Sequence, residues 1–450
     1  MSGRGLEIAD RVLALAGKTG AQASVIVRES ETAHVRFAAS EITTSGEVTA
    51  TDLRLELAFG QRHASSSIDQ VDDVSLASLV SRTAELAKAS PEDPEYVPPL
   101  PPQRYVQNAH AWDESTAALP ASKRAAWARA AISRADEASR LQSDGKDSLV
   151  CAGYVETRAR RSTLATSTGL RAEHRGTWAS MTTTMRTPDG KGSGWAGAEE
   201  TRAEDLDPAA LAATAADRAK RSRAPTKLDP GRYMVVLEPA AVANLIDFLV
   251  EALDARAADQ GRSFFSGRHV GDAIFDSRVT LRSDPLDPRT PGCPWDPDGV
   301  PLAPTTWIEG GKLKQLHYTR FWAKHRGRAP TGGHGSYVLS SSEPTAPTPA
   351  ALLAGVKRGL LVTRFWYTRW LDPRQVLITG LTRDGVFLIE DGVPTRAVNN
   401  FRFNDSPVKM LSRLVTATQA TWRVPSDGDA MRVPVVCCDD FEMASTSDAI

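Results

Sequence analysis

Hydrophobic and polar residues recur with two different periods in the first half of the chain. Apolar residues at every third or fourth position predict helices at residues 5–17, 74–88, 121–140 and 208–221. Alternation of apolar and polar residues predicts strands at residues 23–28, 31–38, 53–59, 148–157, 162–167, 171–177 and 179–186. The glycine-rich run 190–197 is interpreted as a flexible loop. The first half therefore combines helices with an antiparallel meander.

The pattern changes after a proline-containing linker at residues 223–230. A strand at 233–237 leads into a helix at 239–256. From Val270 onward, short apolar runs are separated by Asp-Gly and Gly-Gly pairs, which are typical of hairpins. Further short helices are predicted at residues 349–356 and 406–415.

A chain of 450 residues is too long for one comfortable core, so we expect two domains. The linker places them at residues 1–224 and 225–450. The predicted fold class is α+β, with an N-terminal mixed α/β domain and a C-terminal, mostly antiparallel β domain.

The predicted helix at 239–256 and the loop after it carry the most specific sequence pattern in the chain. Pro239 suits a helix start, since its missing N–H has no partner there anyway, and Ser-Phe-Phe-Ser-Gly follows at 263–267. In order and spacing, this loop and several later segments resemble the TldD/TldE (PmbA) family, formerly called modulators of DNA gyrase. The later segments are residues 296–301, 308–313, 318–323, 330–334 and 433–436. The resemblance implies that the sheet of the C-terminal domain is barrel-like.

The active member of that family carries His-Glu-x-x-x-His on this helix, and the matching positions here are Ile246, Asp247 and Glu251. Zinc sites in peptidases need imidazole or thiolate ligands and a carboxylate that acts as general base. Because both histidines are missing, we expect no metal and no catalytic residue in this chain. A weak site for a hard cation at Asp247 and Glu251 stays open as an alternative to a solvated acidic stripe.

Ten residues are candidates for contact with a substrate or a partner. Arginine and aromatic side chains supply much of the binding energy at protein interfaces. If their segment forms a strand, Arg364, Trp366 and Trp370 lie on the same face of it. The glycines before His334 are interpreted as a rim or a simple turn. The full set is Phe264, Phe265, Ser266, Gly267, Gly332, Gly333, His334, Arg364, Trp366 and Trp370.

Composition narrows the class of protein. The formal net charge is −1, so no basic excess predicts nucleic-acid binding. No apolar run approaches the ~20 residues that a membrane span requires, and we expect neither a membrane partner nor secretion. The four cysteines, of which only Cys437 and Cys438 are neighbours in sequence, favour a reducing compartment. The expected location is the cytoplasm.

Three functions remain open from the sequence. The resemblance implies a non-catalytic, TldE-like subunit of a heterodimeric zinc metallopeptidase, whose TldD-like paralogue bears the zinc and which encloses and cleaves extended, unfolded or leader peptides. The alternative is a stand-alone peptide-binding or scaffold protein, as a homodimer, without peptidase activity. A third hypothesis keeps the chain itself as an enzyme that uses Asp247, Glu251 and a distant histidine around a metal.

Overall fold

The computed structural model describes residues 3–140, 148–333, 335–343, 345–424 and 431–447. The α-helices are α1 (Arg4–Gly17), α2 (Asp73–Ala89), α3 (Glu114–Ala117), α4 (Ala121–Arg140), α5 (Pro208–Arg221), α6 (Pro239–Glu251), α7 (Ala255–Asp259), α8 (Arg320–Arg326), α9 (Pro349–Ala354) and α10 (Pro407–Ser412). Short 3₁₀ turns cover Ala109–Ala111, Ala203–Asp205 and Pro373–Gln375.

The strands are β1 (Gln22–Ala38), β2 (Glu41–Phe59), β3 (Arg62–Ile68), β4 (Val150–Thr166), β5 (Arg171–Arg186), β6 (Ser193–Glu200), β7 (Gly231–Leu237), β8 (Val279–Ser283), β9 (Thr305–Glu309), β10 (Lys312–Leu313), β11 (Tyr337–Ser341), β12 (Arg358–Val362), β13 (Phe365–Asp372), β14 (Leu377–Thr382), β15 (Val386–Glu390), β16 (Val393–Ala397), β17 (Asn400–Asp405), β18 (Leu414–Ala417), β19 (Trp422–Val424), β20 (Met431–Val433) and β21 (Val436–Ser447). The predicted α+β class is confirmed.

The first sheet has the strand order β3-β2-β1-β4-β5-β6, and every neighbouring pair is antiparallel. The predicted strands 23–28 and 31–38 are one strand, β1, because β2 and β4 pair with it through the polar stretch between them. The same pairing joins the two runs predicted in β4 and the two in β5. Polar residues on a solvated face interrupt the sequence pattern without interrupting the ladder.

The loop predicted at residues 190–197 is wrong, because most of it belongs to strand β6. Its glycines serve close packing. A Cβ on Gly194 would lie 2.2 Å from the carbonyl oxygen of Ala215, and one on Gly192 would lie 2.4 Å from that of Ala219. Helix α5 therefore lies directly on the backbone of β6, which a side chain on either glycine would prevent.

Four amphipathic helices cover one face of the first sheet. Helices α1 and α2 pack on the end of the sheet that carries Val25 and Val27, and α4 and α5 pack on the end that carries Val35 and Phe37. These helices are the four predicted for the first half, and the structure confirms them. The opposite face of the sheet contributes Leu164 to a smaller cluster with Trp295, a residue of the second half.

The second half contains two sheets that share one core. A six-stranded sheet has the order β10-β9-β8-β11-β20-β19, and a nine-stranded sheet has the order β13-β14-β17-β21-β7-β12-β15-β16, with β18 paired to β21. Most pairs are antiparallel, as predicted, but β7 with β12 and β11 with β20 are parallel. In the described part of the chain neither sheet closes on itself, so the barrel-like shape implied by the resemblance is an open, two-sheet arrangement.

Helix α6 contributes to the core that both sheets share. Leu245 and Leu249 are fully buried in a cluster with Leu281 and Trp307 of the six-stranded sheet and Phe403 of the nine-stranded sheet. Burial of this many apolar side chains is the main stabilising contribution to the second half. Among the described residues, no helix combines the length and apolar character that crossing a membrane would need.

Several polar contacts fasten the two halves to each other, and we call three of them the seam contacts. Ser193 in β6 donates a hydrogen bond to Asp384, and Arg218 in α5 forms an ion pair with Glu238 at the start of α6. The guanidinium of Arg256 in α7 donates two hydrogen bonds of 2.6 Å to the carboxylate of Glu95. The first sheet lies within residues 22–200 and the other two within 231–447, and the domain division at 224 stays a prediction.

Candidate functional site

The helix predicted at residues 239–256 is two helices in the structure. Helix α6 begins with Pro239 as expected and ends at Glu251, and α7 starts at Ala255. Between them, the N–H of His317 donates to the carbonyl of Leu253 at 2.8 Å, and the N–H of Ala255 donates to the carbonyl of His317 at 2.9 Å. These bonds hold Asp254 in an extended conformation, so the helix stops where the sequence period continues.

The three positions that match the zinc motif lie in different environments. Ile246 is completely buried in the shared core, Asp247 is half-buried, and Glu251 is exposed. An alkyl side chain inside a packed core cannot coordinate a metal. Within the described residues, no group of three or more His, Cys, Asp or Glu side chains is arranged to hold a metal ion. Of the three motif positions, only Asp247 and Glu251 carry groups that can ligate a metal.

The loop at residues 263–267, which we call the 263–267 loop, is tied to the end of α6. The hydroxyl of Ser263 donates to the carbonyl of Ala252 at 2.6 Å and accepts the N–H of Phe265 at 3.2 Å. The hydroxyl of Ser266 donates to the carbonyl of Ser263 at 2.7 Å. Of the predicted contact residues, Phe265 is buried in the core, whereas Phe264 and Ser266 are half-buried and Gly267 is exposed.

This loop forms one wall of a cleft with a volume of about 690 Å³. The opposite walls are residues 313–318 and the end of α8. Helix α8 was missed by the sequence analysis, although Thr319 caps it by accepting the N–H of Trp322 and Gly327 ends it with a φ of 63°. A threonine cap and a terminal glycine eight residues apart were the available signal.

Gly332 and Gly333 lie against the loop at 296–301, so two segments that carried the family resemblance are in contact. The N–H of Gly333 donates to the buried carboxylate of Asp296 at 3.0 Å. Burial raises the pKa of Asp296 against the opposing effect of the N–H groups that donate to it. The role of Gly332 and Gly333 is thus at least partly structural, and His334 lies outside the described residues.

The predicted common face of Arg364, Trp366 and Trp370 is wrong. A bulge shifts the register of β13 between Trp366 and Arg369, and Tyr367 takes a left-handed φ of 56°. One extra residue reverses the direction of every later side chain. Trp366 is therefore 43% exposed, whereas Trp370 packs edge-on against Phe248 of α6 with ring centroids 4.9 Å apart.

Arg364 takes part in a buried ion pair. Its Nε donates to Asp384 at 2.8 Å, a second guanidinium nitrogen also contacts that carboxylate, and its plane lies 4.6 Å from the ring centre of Trp195. Burial lowers the pKa of Arg364 and Asp384 opposes that effect. The sequence analysis read Asp384-Gly385 only as a hairpin turn and missed this role. Arg364 therefore joins β13 to the first sheet through Asp384 and Ser193.

A second cavity of about 690 Å³ lies where the two halves meet, and no pattern in the sequence indicates it. Its walls include Glu200 from β6 and two buried arginines, Arg423 and Arg432. Burial raises the pKa of Glu200 to about 7. The residues come from strands more than 200 positions apart, so only the folded chain brings them together.

Models of two protein-family domains match the sequence of this chain. The PmbA/TldA metallopeptidase central domain matches residues 114–223, and the PmbA/TldA metallopeptidase C-terminal domain matches residues 230–445. The chain belongs to the PmbA/TldD family. The predicted family membership is confirmed, and the 263–267 loop lies within the C-terminal match. No curated protein sequence matches this chain significantly.

Solved structures share the fold along nearly the whole chain. TldE from Thermococcus kodakarensis is 17% identical with a TM-score of 0.83, and the alignment covers 97% of this chain and 99% of that one. A protein from Bacteroides thetaiotaomicron described as a candidate modulator of DNA gyrase is 19% identical with a TM-score of 0.84, over 98% and 99% of the two chains. A counterpart from Thermotoga maritima is 16% identical with a TM-score of 0.82, over 97% and 99%. At these identities the likeness shows the fold alone.

Proposed function

We propose that this chain is the non-catalytic subunit of a two-chain metallopeptidase, in which a paralogue of the same family carries the zinc site. One observation carries the proposal. The position of the motif's first histidine is occupied by Ile246, whose side chain is completely buried in the core that α6 shares with both sheets. A member of a metallopeptidase family with this helix needs its hydrolytic group from another chain.

The environment of α6 supports the proposal because the buried side chains of this helix pack in the hydrophobic core. Ala243, Leu245 and Ile246 are buried, and Asn244, which lies between the first two, is half-buried. A histidine in place of Ile246 would bury an imidazole among alkyl groups, where an unpaired polar group costs about 1–3 kcal/mol. Likeness to a solved TldE over 97% of the chain agrees with this assignment.

The task of this chain in the pair would be to help enclose and order an extended or unfolded peptide. The 263–267 loop and the cleft beside it are the described surfaces best suited to contact such a peptide, since Ser263 is hydrogen-bonded to Ala252 at the end of α6. Backbone pairing with sheet edges would recognise strand conformation more than sequence. Neither nucleic acid nor membrane is expected as a partner, given the net charge of −1.

We expect the pair to work in the cytoplasm. The four cysteines, all within the described residues, form no disulfide with one another, and Cys151, Cys437 and Cys438 are buried. Burial raises the pKa of Cys437 to about 12, which keeps this thiol protonated and unreactive at neutral pH. Free thiols are typical of proteins in a reducing compartment.

Co-expression with a paralogue from the same genome that carries His-Glu-x-x-x-His tests the proposal. We expect a stable heterodimer by native mass spectrometry, about one zinc per heterodimer and none in this chain alone. Peptide hydrolysis should require both chains. A matched control changes the motif glutamate of the paralogue to glutamine, which should abolish hydrolysis and leave the heterodimer intact.

Two results would contradict the proposal. If this chain forms only homodimers in the presence of the paralogue, the stand-alone peptide-binding alternative is favoured. If the purified chain binds zinc and hydrolyses peptides by itself, and an Asp247→Ala/Glu251→Ala double variant loses that activity, the chain is an enzyme in its own right.

A further inference from the structure

The cleft beside the 263–267 loop has an unusual charge. Four cationic side chains line it, against a single carboxylate, that of Asp259. The cations are Arg268, Lys314, Arg326 and Arg328. With His269 neutral, the lining has a formal charge of +3, although the whole chain has a net charge of −1. Cations gathered in a partly enclosed space repel one another, so an anionic ligand would be bound favourably there.

The one carboxylate of the cleft already has partners. Asp259 accepts a hydrogen bond of 2.8 Å from the indole N–H of Trp322 and forms an ion pair with Arg326, whose Nε lies 2.9 Å from the carboxylate. It is therefore not free to neutralise the remaining cations. Lys314 reaches Glu309 at 2.9 Å in a pair that is largely exposed, and such pairs are weak and exchange readily with solvent.

Arg268 and Arg328 form no ion pair with any carboxylate in the described part of the chain, yet aromatic rings orient both. The guanidinium of Arg268 lies 4.3 Å from the ring centre of Phe264, and its Nε donates to the carbonyl of that residue at 3.3 Å. The guanidinium of Arg328 lies 5.4 Å from the ring centre of Tyr318. An arginine positioned over a ring face keeps N–H groups available for a carboxylate, which a guanidinium can bind with two parallel hydrogen bonds.

The cleft also has an apolar part, which narrows the class of ligand. Leu313 and Leu316 contribute to its wall, and Val270 lies at its edge with 61% of its surface exposed. A ligand that fits both parts carries carboxylates and apolar side chains together. A peptide with acidic and aliphatic residues has this chemistry, whereas a nucleic-acid backbone would leave the apolar wall uncovered.

We propose that this cleft binds an acidic segment of the extended peptide, with Arg268 and Arg328 as the carboxylate ligands. The inference rests on the proposed function, because it assigns a substrate preference to the same subunit. It goes further by naming the chemical class of the peptide: segments in which glutamate or aspartate alternates with aliphatic residues. The 263–267 loop then contributes to peptide binding by holding Phe264 under Arg268.

Fluorescence anisotropy with the full chain tests the preference. The probe is a labelled peptide in which glutamate alternates with leucine, and its control has glutamine in place of each glutamate. We expect the acidic peptide to bind at least about tenfold more tightly. The Arg268→Gln and Arg328→Gln variants should each weaken its binding by about tenfold and leave the glutamine peptide unaffected. Arg129→Gln, which changes an exposed arginine on α4, should bind like the unmodified chain.

Three results would overturn the inference. Equal binding of the two peptides would show that charge is not recognised, and unchanged binding by both variants would show that these arginines are not the ligands. Tighter binding of a labelled single-stranded oligonucleotide, lost in the same variants, would assign the cleft to nucleic acid.

Pairing with the paralogue is measured separately for each variant, so that the two proposals fail in different ways. A chain that binds the acidic peptide but does not pair contradicts the proposed function and leaves the cleft assignment standing. Variants that fold normally by circular dichroism but no longer pair would make the cleft a subunit interface, and this inference would be wrong.

Discussion

The buried ion pair between Arg364 and Asp384 offers the sharpest test of the structure. The Asp384→Asn substitution removes the negative charge and keeps the shape of the side chain. Asparagine also tolerates the left-handed backbone of this residue, whose φ is 57°. The side chain of Asp384 has no exposed surface, and that of Arg364 is 20% exposed. The variant therefore leaves a largely buried guanidinium without a counter-charge.

The size of the effect follows from these contacts. Removal of one partner from a buried pair costs about 3–5 kcal/mol. Here the asparagine oxygen can still accept one hydrogen bond, and Arg364 keeps its contact with Trp195, so we expect a loss of about 2–4 kcal/mol. The Arg364→Met/Asp384→Asn double variant removes both members of this pair and leaves Arg383, whose Nε lies 3.9 Å from Asp384, as the remaining cation there. It should recover much of the loss, with a coupling energy of about 2 kcal/mol.

A chain of this size is not expected to unfold in one step, so local opening is the appropriate measurement. Hydrogen exchange read by mass spectrometry on peptides that cover β6 and the turn after β14 reports the free energy of opening there. A loss of 2–4 kcal/mol corresponds to exchange that is about 30- to 700-fold faster. The exposed pair of Arg396 and Glu390, 3.0 Å apart, is the matched control, and Arg396→Met should cost at most about 1 kcal/mol. Additive effects of the two single substitutions would refute the reasoning.

Three further predictions concern titration and packing. Because the pKa of Glu200 is raised from its usual 4.5 to about 7, the folded chain holds a proton that the unfolded chain has lost. The melting temperature of the protein should therefore fall as the pH rises from 5 to 8, by the equivalent of at most about 3 kcal/mol, and Glu200→Gln should flatten this dependence on pH. Partial burial lowers the pKa of His63, but hydrogen bonds to the neighbouring carboxylates, that of Asp93 above all, outweigh the burial and raise this pKa. The stability that the protonated ring contributes should be lost as the pH rises through the raised pKa, and an NMR titration of Asp93→Asn should show a lower pKa for His63. Gly194→Ala should cost at least about 1–3 kcal/mol because its Cβ would overlap a carbonyl of α5, whereas Gly17→Ala, with nothing within 4 Å, should not destabilise the chain; melting temperatures compare the two.

Each of these predictions has a contradicting result. A pH slope that is the same in Glu200→Gln would place the titrating group elsewhere. An unchanged pKa of His63 after the Asp93 substitution would mean that the hydrogen bond of 3.0 Å between them does not set it. Equal melting temperatures for the two alanine variants would contradict the direct packing of α5 on β6.

The sequence predicted the helices of the first half because their apolar stripes are long and face one sheet. It divided β1, β4 and β5 too often, since polar residues on a solvated face look like breaks when only the sequence period is read. It also mistook the glycines of β6 for flexibility. Close backbone packing and flexibility select the same residue, and only the partner helix distinguishes them.

The candidate site shows the same limit. Ile246, Asp247 and Glu251 were identified from a motif of fixed spacing, which is a local property. Asp384 was not recognised, because its partner Ser193 is 191 residues away in sequence. The bulge in β13 was also missed, since the left-handed residue there is a tyrosine and carries no glycine signal.

The seam contacts have a consequence for how any substrate would be admitted. They lie at three separate places along the boundary of the two halves, and one of them involves a side chain with no exposed surface, that of Asp384. A swinging motion of one half against the other would have to break all three, so such a motion is disfavoured. In the proposed pair, a gate that admits a peptide would then open by movement of the partner chain.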